Sequence, residues 1–316
     1  RFYRGRRVLV TGHTGFKGSW LSLWLHMLGA SVVGYSLPPS TVPSHFCLIE
    51  GKRGITHVEG DICDYERLRR TFAREKPEIV FHLAAQALVR EAYGDPKGTF
   101  DTNIGGTVNV LEAVRHSPSV RSVVVVTSDK CYENHEWSWA YRENDPLGGN
   151  DPYSASKGAA EIVCASYRRS FFEAGGGRVI GVATARAGNV IGGGDWAKDR
   201  IVPDCVRSLS ANTSVRIRNP RSVRPWQHVL DALSGYLVLA RRLLEDPERF
   251  SGPWNFGPQR TRGVTVRQLA ERFLSAWPQG RSTIECSDEN GPPEASSLRL
   301  SIEKALAQLE WLPVLD

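Results

Sequence analysis

Tyr153 and Lys157 stand four residues apart in Tyr153-Ser154-Ala155-Ser156-Lys157, directly after Asp151-Pro152. On a helix that spacing puts both side chains on one face. A free tyrosine titrates near about 10 and is a poor base at neutral pH, but a neighbouring ammonium can lower that value by roughly one to three units. The pair is therefore expected to act as a base with its cationic partner. A second group precedes it, Thr127-Ser128-Asp129-Lys130-Cys131-Tyr132, closing a run of valines. A hydroxyl at the end of a strand, Ser128, can bond a substrate hydroxyl undergoing oxidation. Asp129 and Lys130 offer an acid and a base at the same edge. Each feature has a plainer explanation when taken alone: YxxxK arises often by chance, and adjacent Asp and Lys commonly form a turn with an incidental ion pair. Position favours chemistry, because one strand–loop–helix unit separates Val123–Val126 from Tyr153.

A third feature opens the chain. Thr11-Gly12-His13-Thr14-Gly15-Phe16-Lys17-Gly18 follows an apolar strand and leads into a helix, with glycines spaced GxxGxxG. Glycine permits a tight turn and lets backbone approach a pyrophosphate, while the helix N-terminus offers free N–H groups and the positive end of its dipole. Between a strand and a helix the pattern points to a bound dinucleotide. Gly12, His13, Gly15, Phe16, Lys17 and Gly18 are its candidate contacts. Asp61, with Ile62, follows the third strand and can accept from an adenine amine or cap a helix. Leu83, Ala84, Ala85 and Gln86 follow the fourth strand, where small residues let a cofactor lie against the backbone. Thr127, Tyr153 and Lys157 complete the set, Lys157 being placed to hold ribose hydroxyls. Tyr35-Ser36-Leu37-Pro38 after the second strand has neither a carboxylate for a ribose nor a base for a 2′-phosphate. That site leaves NAD against NADP open.

These groups need a scaffold of alternating strands and helices. Arg7–Val10, Val32–Tyr35, Ile55–Glu59, Glu78–His82 and Ser122–Val126 read as short apolar strands. Phe16–Leu28, Tyr65–Arg74 and Thr99–Arg115 read as helices between them. Near-continuous apolar runs suit strands buried on both faces, so the expected fold is α/β, a doubly wound parallel sheet. Beyond about Ala185 glycine, arginine and tryptophan become frequent, and helices are expected over Val202–Leu209, Val229–Leu244, Val266–Trp277 and Ile302–Leu309. This reads as a dinucleotide-binding domain over residues 1–185. A smaller, mostly substrate-binding lobe, interleaved with the sheet, would cover residues 186–316.

Composition bounds the function. Charged residues make up 23% and hydrophobic ones 41%, as in a globular protein. No apolar run of about 18 residues suggests a transmembrane helix. Arg1–Arg7 runs into a strand without the apolar core of a signal peptide. The six cysteines include no CxxC pair, which argues against a zinc site or a disulfide framework, and a reduced, cytoplasmic setting is expected. No metal is expected. The net charge of +6 suits an anionic small molecule and is too dispersed for a nucleic-acid footprint.

Through the glycine loop, His82–Gln86 and YxxxK, the chain resembles the extended short-chain dehydrogenase/reductase family. The resemblance narrows to the 4,6-dehydratases of the CDP-glucose branch. It does so through Val10–Trp20, Thr127–Tyr132, Arg186-Ala187-Gly188-Asn189-Val190-Ile191-Gly192-Gly193-Gly194-Asp195-Trp196 and Arg224-Pro225-Trp226-Gln227-His228-Val229, which run through most of the chain. Related dTDP-glucose dehydratases carry Asp-Glu where this chain has Asp129-Lys130, and that difference favours the CDP-sugar branch. The resemblance implies NAD and an internal redox cycle. Tyr153 takes the sugar 4-hydroxyl proton as hydride leaves C4, with Ser128 holding that hydroxyl. Lys130 removes the C5 proton, Asp129 protonates the departing 6-hydroxyl, and hydride returns to C6.

That scheme needs Lys130 depressed and Asp129 raised from their usual values, whereas a close ion pair opposes both. The division of roles within the pair therefore stays open. Asn189, Trp196, Arg200, Arg218 and Arg224 are candidates for the nucleotide end, the amide and guanidinium groups suiting a diphosphate. His135–Trp139 and Glu143 are weaker candidates for the sugar pocket. The resemblance also implies a homodimer formed through helices flanking the sheet, including the one bearing YxxxK. The rival readings are a nucleotide-sugar 4-epimerase or another sugar dehydratase, and a silent NAD-binding protein.

Overall fold

The computed structural model describes residues 1–49, 54–173, 178–259, 263–278, 283–286 and 297–315. Six parallel strands, β1 (Arg7–Thr11), β2 (Ser31–Ser36), β3 (Ile55–Glu59), β4 (Ile79–His82), β5 (Ser122–Val126) and β6 (Gly181–Ala187), join Gly252–Phe256 in one seven-stranded sheet. From one edge the order is Gly252–Phe256, β6, β5, β4, β1, β2, β3. The chain therefore steps outward from β1 to β3 and returns to place β4 on the other side of β1. The strand order reverses there, and the carboxyl ends of β1 and β4 flank a crevice where ligands of such sheets bind. The register Thr11 beside His82 brings the glycine loop against the loop after β4.

Helices cover both faces: α1 (Phe16–Met27), α2 (His45–Ile49), α3 (Tyr65–Glu75), α4 (Val89–Gly94), α5 (Pro96–Phe100), α6 (Gly106–Arg115), α7 (Pro152–Tyr167), α8 (Ile201–Ser210) and α9 (Val229–Glu245). Residues alternate across each strand. Val8, Val10, Val124 and Ala185 pack on α1 and α9 through Leu21, Leu25, Leu233 and Tyr236. Leu9, Val80, Val123 and Val125 pack on α3, α6 and α7 through Leu68, Phe72, Leu111 and Cys164. Every residue of β5 is buried, which explains its valine run.

The helix expected over Thr99–Arg115 is segmented. α5 ends at Phe100, and a wide turn of i→i+5 bonds over Asp101–Gly105 precedes α6. The turn aims Asn103 inward, where its amide donates to Gln86 O at 3.0 Å and Ser156 Oγ at 2.8 Å. Ile302–Leu309 likewise closes in a wide turn over Ala305–Leu309 rather than a regular helix. β6 continues to Ala187, and α9 and Gly252–Phe256 return to the sheet from beyond it. α8 and the helix Val266–Ala276 stand outside, packed on Val215–Ile217 around Cys205, Leu209 and Ala270.

Candidate active site

The turn after β1 places glycine where other residues cannot go. Gly12 has φ +73°, and a Cβ there would lie 2.5 Å from Ala84 N. A Cβ on Gly18 would lie 2.1 Å from Gly12 O, so α1 packs directly on the turn. Gly15 is the N-cap of α1 and supplies no side-chain cap, which leaves the helix start to a ligand. A tight turn, an uncapped helix start and a close-packed third glycine are the three parts of a pyrophosphate cradle, and this loop fits a dinucleotide. Thr14 Oγ1 lies 2.8 Å from Ser36 Oγ and donates to Leu37 O at 2.9 Å, closing the end of β2 with hydroxyls.

His13 sits within this loop but turns away from the crevice. Its ring is buried against Gly34 and Phe46, with Nε2 2.8 Å from His57 Nδ1. Burial and His57 push it down to about 3, so it is neutral at ordinary pH. Lys17 points into the cleft. Its amine is 3.4 Å from Tyr236 Oη, and burial with Lys157 and Arg200 pushes it down to about 7.

Leu83 and Ala85 line the cleft after β4, whereas the Gln86 side chain folds back to Leu88 and Thr99. Ala84 donates from its backbone to Thr11 Oγ1 at 3.3 Å. Asp61 accepts from Cys63 N at 2.9 Å in a local turn, and the N-cap of α3 is Asp64 instead. Ile62 is buried against Gly106.

The catalytic candidates meet at the end of β5. Asp151 caps α7 by accepting from Ser154 N at 2.9 Å, and Pro152 occupies the first turn. This start puts Tyr153 and Lys157 on the face of α7 that lines the cleft. A short helical turn over Asp129–Cys131 follows β5, capped by Ser128, whose Oγ accepts from Lys130 N at 3.2 Å. Ser128 Oγ also donates to Asp129 Oδ1 at 3.0 Å and lies within hydrogen-bonding reach of the Tyr153 phenol. Thr127, Ser128, Asp129, Lys130, Tyr153 and Lys157 all line one cleft of about 1050 Å³.

Burial governs the electrostatics. It raises Asp129 above the usual carboxylate value, and the opposing pulls of Lys130, Ser128 and Arg224 do not cancel it. The Lys130–Asp129 attraction expected to hold the acid ionised is thus outweighed by desolvation. Tyr153 goes the opposite way from expectation: burial pushes it up to about 12 despite the Ser128 hydrogen bond and the Arg200 charge. Lys157 is pushed down to about 8 by burial, with Glu161 opposing.

Asn189, Arg200, Arg218 and Arg224 line the other walls. Arg200 is held by Asp195 at 2.9 Å, and Arg218 by Asp199, which also faces Arg90 at 3.6 Å. Trp196 does not line the cleft; its indole nitrogen is buried without a hydrogen-bond partner, and its backbone carbonyl accepts from Arg207 at 3.0 Å. His135–Trp139 also lies outside the cleft, with Trp137 stacked on Tyr141. Glu143 accepts from Asn255 N at 3.0 Å.

Sequence reading missed Asp195 and Asp199, which hold the arginines, and Asn103, Glu161 and Arg186 beneath the catalytic end. Arg186 stood inside a quoted motif and Glu161 follows Lys157 by one helical turn, so spacing could have found the latter.

The comparisons agree with this geometry. A model of the NAD dependent epimerase/dehydratase family matches residues 8–251. The chain is 52% identical over 314 residues to CDP-glucose 4,6-dehydratase of Salmonella typhimurium, covering 99% of this chain and 87% of that protein. It is 26% identical to dTDP-D-glucose 4,6-dehydratase of Dictyostelium discoideum, over 75% of this chain and 56% of that one. Among solved structures, the dTDP-glucose 4,6-dehydratase of Streptomyces venezuelae with NAD bound superposes with a TM-score of 0.82 at 23% identity, covering 98% of this chain and 92% of that one. An epimerase of Methanothermobacter thermautotrophicus superposes with a TM-score of 0.86 at 25% identity, covering 99% and 89%. With a glycine cradle after β1, YxxxK on α7 and a family match spanning both, the chain belongs to the NAD dependent epimerase/dehydratase family.

Proposed function

We propose that this protein catalyses the NAD-dependent 4,6-dehydration of CDP-D-glucose to CDP-4-keto-6-deoxy-D-glucose. The observation that carries the reading is the Ser128-Asp129-Lys130 turn set against Tyr153 and Lys157 in one cleft. A 4-epimerase needs the tyrosine and lysine but has no evident use for an added acid and base. The 52% identity to the Salmonella CDP-glucose enzyme over nearly the whole chain supports the CDP-sugar as substrate.

The Gly12–Gly18 loop, Leu83, Ala85, Thr127 and Lys157 would hold the cofactor. Bound there, NAD would supply reversible hydride transfer to and from the sugar. Ser128 and Tyr153 hold the 4-hydroxyl, and Tyr153 as phenolate takes its proton as the C4 carbonyl forms. The carbonyl acidifies the C5 proton, which Lys130 removes. Asp129 gives its proton to the 6-hydroxyl, the C6–O bond breaks, and water leaves. Lys130 returns its proton to C5, and the proton that Tyr153 took from the 4-hydroxyl replaces the one Asp129 gave up, so the protein is restored with net loss of one water. The raised Asp129 suits a group that must hold a proton until the bond breaks. Arg224 and Asn189, on the same cleft, hold the diphosphate by charge-assisted hydrogen bonds. Residues 1–185 bind the cofactor and much of 186–316 caps the sugar nucleotide.

We also propose that it acts in the cytoplasm as a homodimer. Among the described residues, no helix is long and apolar enough to cross a membrane. Exposed Ile162 on α7 and Phe100 on α5 suit a contact through helices flanking the sheet.

The test is purified protein with NAD and CDP-glucose deuterated at C4, followed by mass spectrometry. Loss of one water with deuterium at C6 supports the cycle. Unchanged mass with CDP-, dTDP-, UDP- and GDP-glucose overturns it and favours an epimerase or a silent binder.

A further inference from the structure

Beneath the catalytic end of the cleft lies a charged network that no step above uses. Glu161 is buried on α7, one turn beyond Lys157. Its Oε1 accepts from Thr127 Oγ1 at 2.5 Å, and its Oε2 accepts from Thr184 Oγ1 at 2.7 Å and Arg186 Nη2 at 2.6 Å. Arg186, equally buried, donates through Nη1 to Tyr132 Oη at 2.7 Å and Glu143 O at 3.0 Å. Tyr132 in turn donates to Asn255 Oδ1 at 2.8 Å. The network thus grips the chain on both sides of Ser128-Asp129-Lys130, through Thr127 before it and Tyr132 after it. It also ties that turn to β6 and Gly252–Phe256.

Stability alone is a weak reason for such a pair. Desolvation of two ions offsets most of their attraction, and well-packed apolar replacements are often neutral or stabilising. Its location supplies another reason. Lys157 faces Lys17 from α1, His82 from β4, Cys131 from the turn after β5, and Cys164 and Glu161 from its own helix. Burial keeps both thiols protonated and His82 neutral, and Lys17 adds only repulsion. Among the described residues, the carboxylate acting on Lys157 is Glu161. We infer that Glu161 is a positioning residue of the reaction, which orients the Thr127–Tyr132 segment and, one helical turn from Lys157, supplies that lysine's counter-charge. The inference rests on the dehydratase reading for its kinetic consequence and on the described geometry for the rest. Without Glu161, the Lys157 ammonium keeps its burial and loses its counter-charge, so it releases its proton at lower pH.

Two variants test this. Glu161→Gln removes the charge alone. Glu161→Gln with Arg186→Met removes the whole buried pair and keeps the test available where the single variant fails to fold. Thr184→Val removes a hydrogen bond to Glu161 and leaves its charge, which makes it the structural control. The first readout is the pH dependence of amine labelling at Lys157, quantified by mass spectrometry on protein without substrate. Its midpoint is expected near about 8 in the parent. It should fall by about one pH unit or more in Glu161→Gln and by a smaller amount in the double variant, where the Arg186 charge leaves with its partner, with no movement in Thr184→Val. The second readout is the alkaline limb of kcat/KM for CDP-glucose, which should move the same way. A labelling midpoint or an alkaline limb that stays in place in a folded variant overturns the proposal. A parent protein that labels as expected but releases no water from CDP-glucose sinks the dehydratase reading and leaves the charge relationship measured.

Discussion

At the scale of single residues, the site runs on burial. Tyr153 is pushed up to about 12, so its work as a base depends on what the bound cofactor and substrate add to the cleft. Tyr153→Phe keeps the ring and its packing and removes the proton acceptor. Turnover of CDP-glucose should fall about 10²- to 10⁴-fold with the fold intact, read by mass spectrometry and circular dichroism. Asp129 makes a prediction with a definite sign. Its folded value lies above the unfolded one, so the folded state binds its proton more tightly. Stability from this group is therefore present at low pH and declines as pH rises from about 4 through the raised value. Asp129→Asn should consequently be more resistant to urea than the parent at pH 8, with the gain shrinking as pH falls towards 4. The same substitution should slow water loss about 10²-fold or more, because the leaving hydroxyl has lost its acid. A parent that is the more stable of the two at pH 8 would count against a proton-bearing Asp129.

At the scale of elements, each catalytic group depends on how a strand or helix ends. The turn after β5 is capped by Ser128 itself, so the residue proposed to hold the substrate hydroxyl also fixes the geometry of Asp129 and Lys130. The glycine loop depends on backbone contacts closer than any side chain allows. Gly18→Ala would force a Cβ to within 2.1 Å of Gly12 O and lift α1 off the turn. NAD binding, followed by calorimetry, should weaken about tenfold or more, as expected when helix–turn packing and the N–H cradle separate. Binding that is unchanged would mean the cradle lies elsewhere. The segmented α5–α6 region shows the limit of pattern reading. Thr99–Arg115 has helical periodicity throughout, and the wide turn at Asp101–Gly105 exists because Asn103 is drawn in to bond Gln86 and Ser156. Those partners belong to other elements.

At the scale of the whole molecule, the proposed dimer is open to a direct test. Ile162 is 60% exposed on α7, on the helix that carries Tyr153 and Lys157. Ile162→Arg should halve the mass measured by light scattering at micromolar concentration while leaving the circular dichroism unchanged; a parent that already runs as a monomer removes the dimer from the proposal. Five of the strands, most of the helices, the glycine loop, YxxxK and the Ser128-Asp129-Lys130 turn were legible from residue type and spacing. Such features are local: buried parallel strands must be apolar runs, and glycine positions report backbone needs a few residues away. What only the tertiary structure decided was which way side chains face and what surrounds them. His13 lies in the cofactor motif yet packs on Gly34 behind the crevice, and Trp196 lies in a substrate motif yet does not reach the cleft. The carboxylate holding Arg218, the pairing of Glu161 with Arg186, and the upward movement of Asp129 and Tyr153 all arise from contacts or burial supplied by distant segments. Hydrophobic period and turn chemistry are written along the chain, whereas desolvation and charge pairing depend on what folds over a residue.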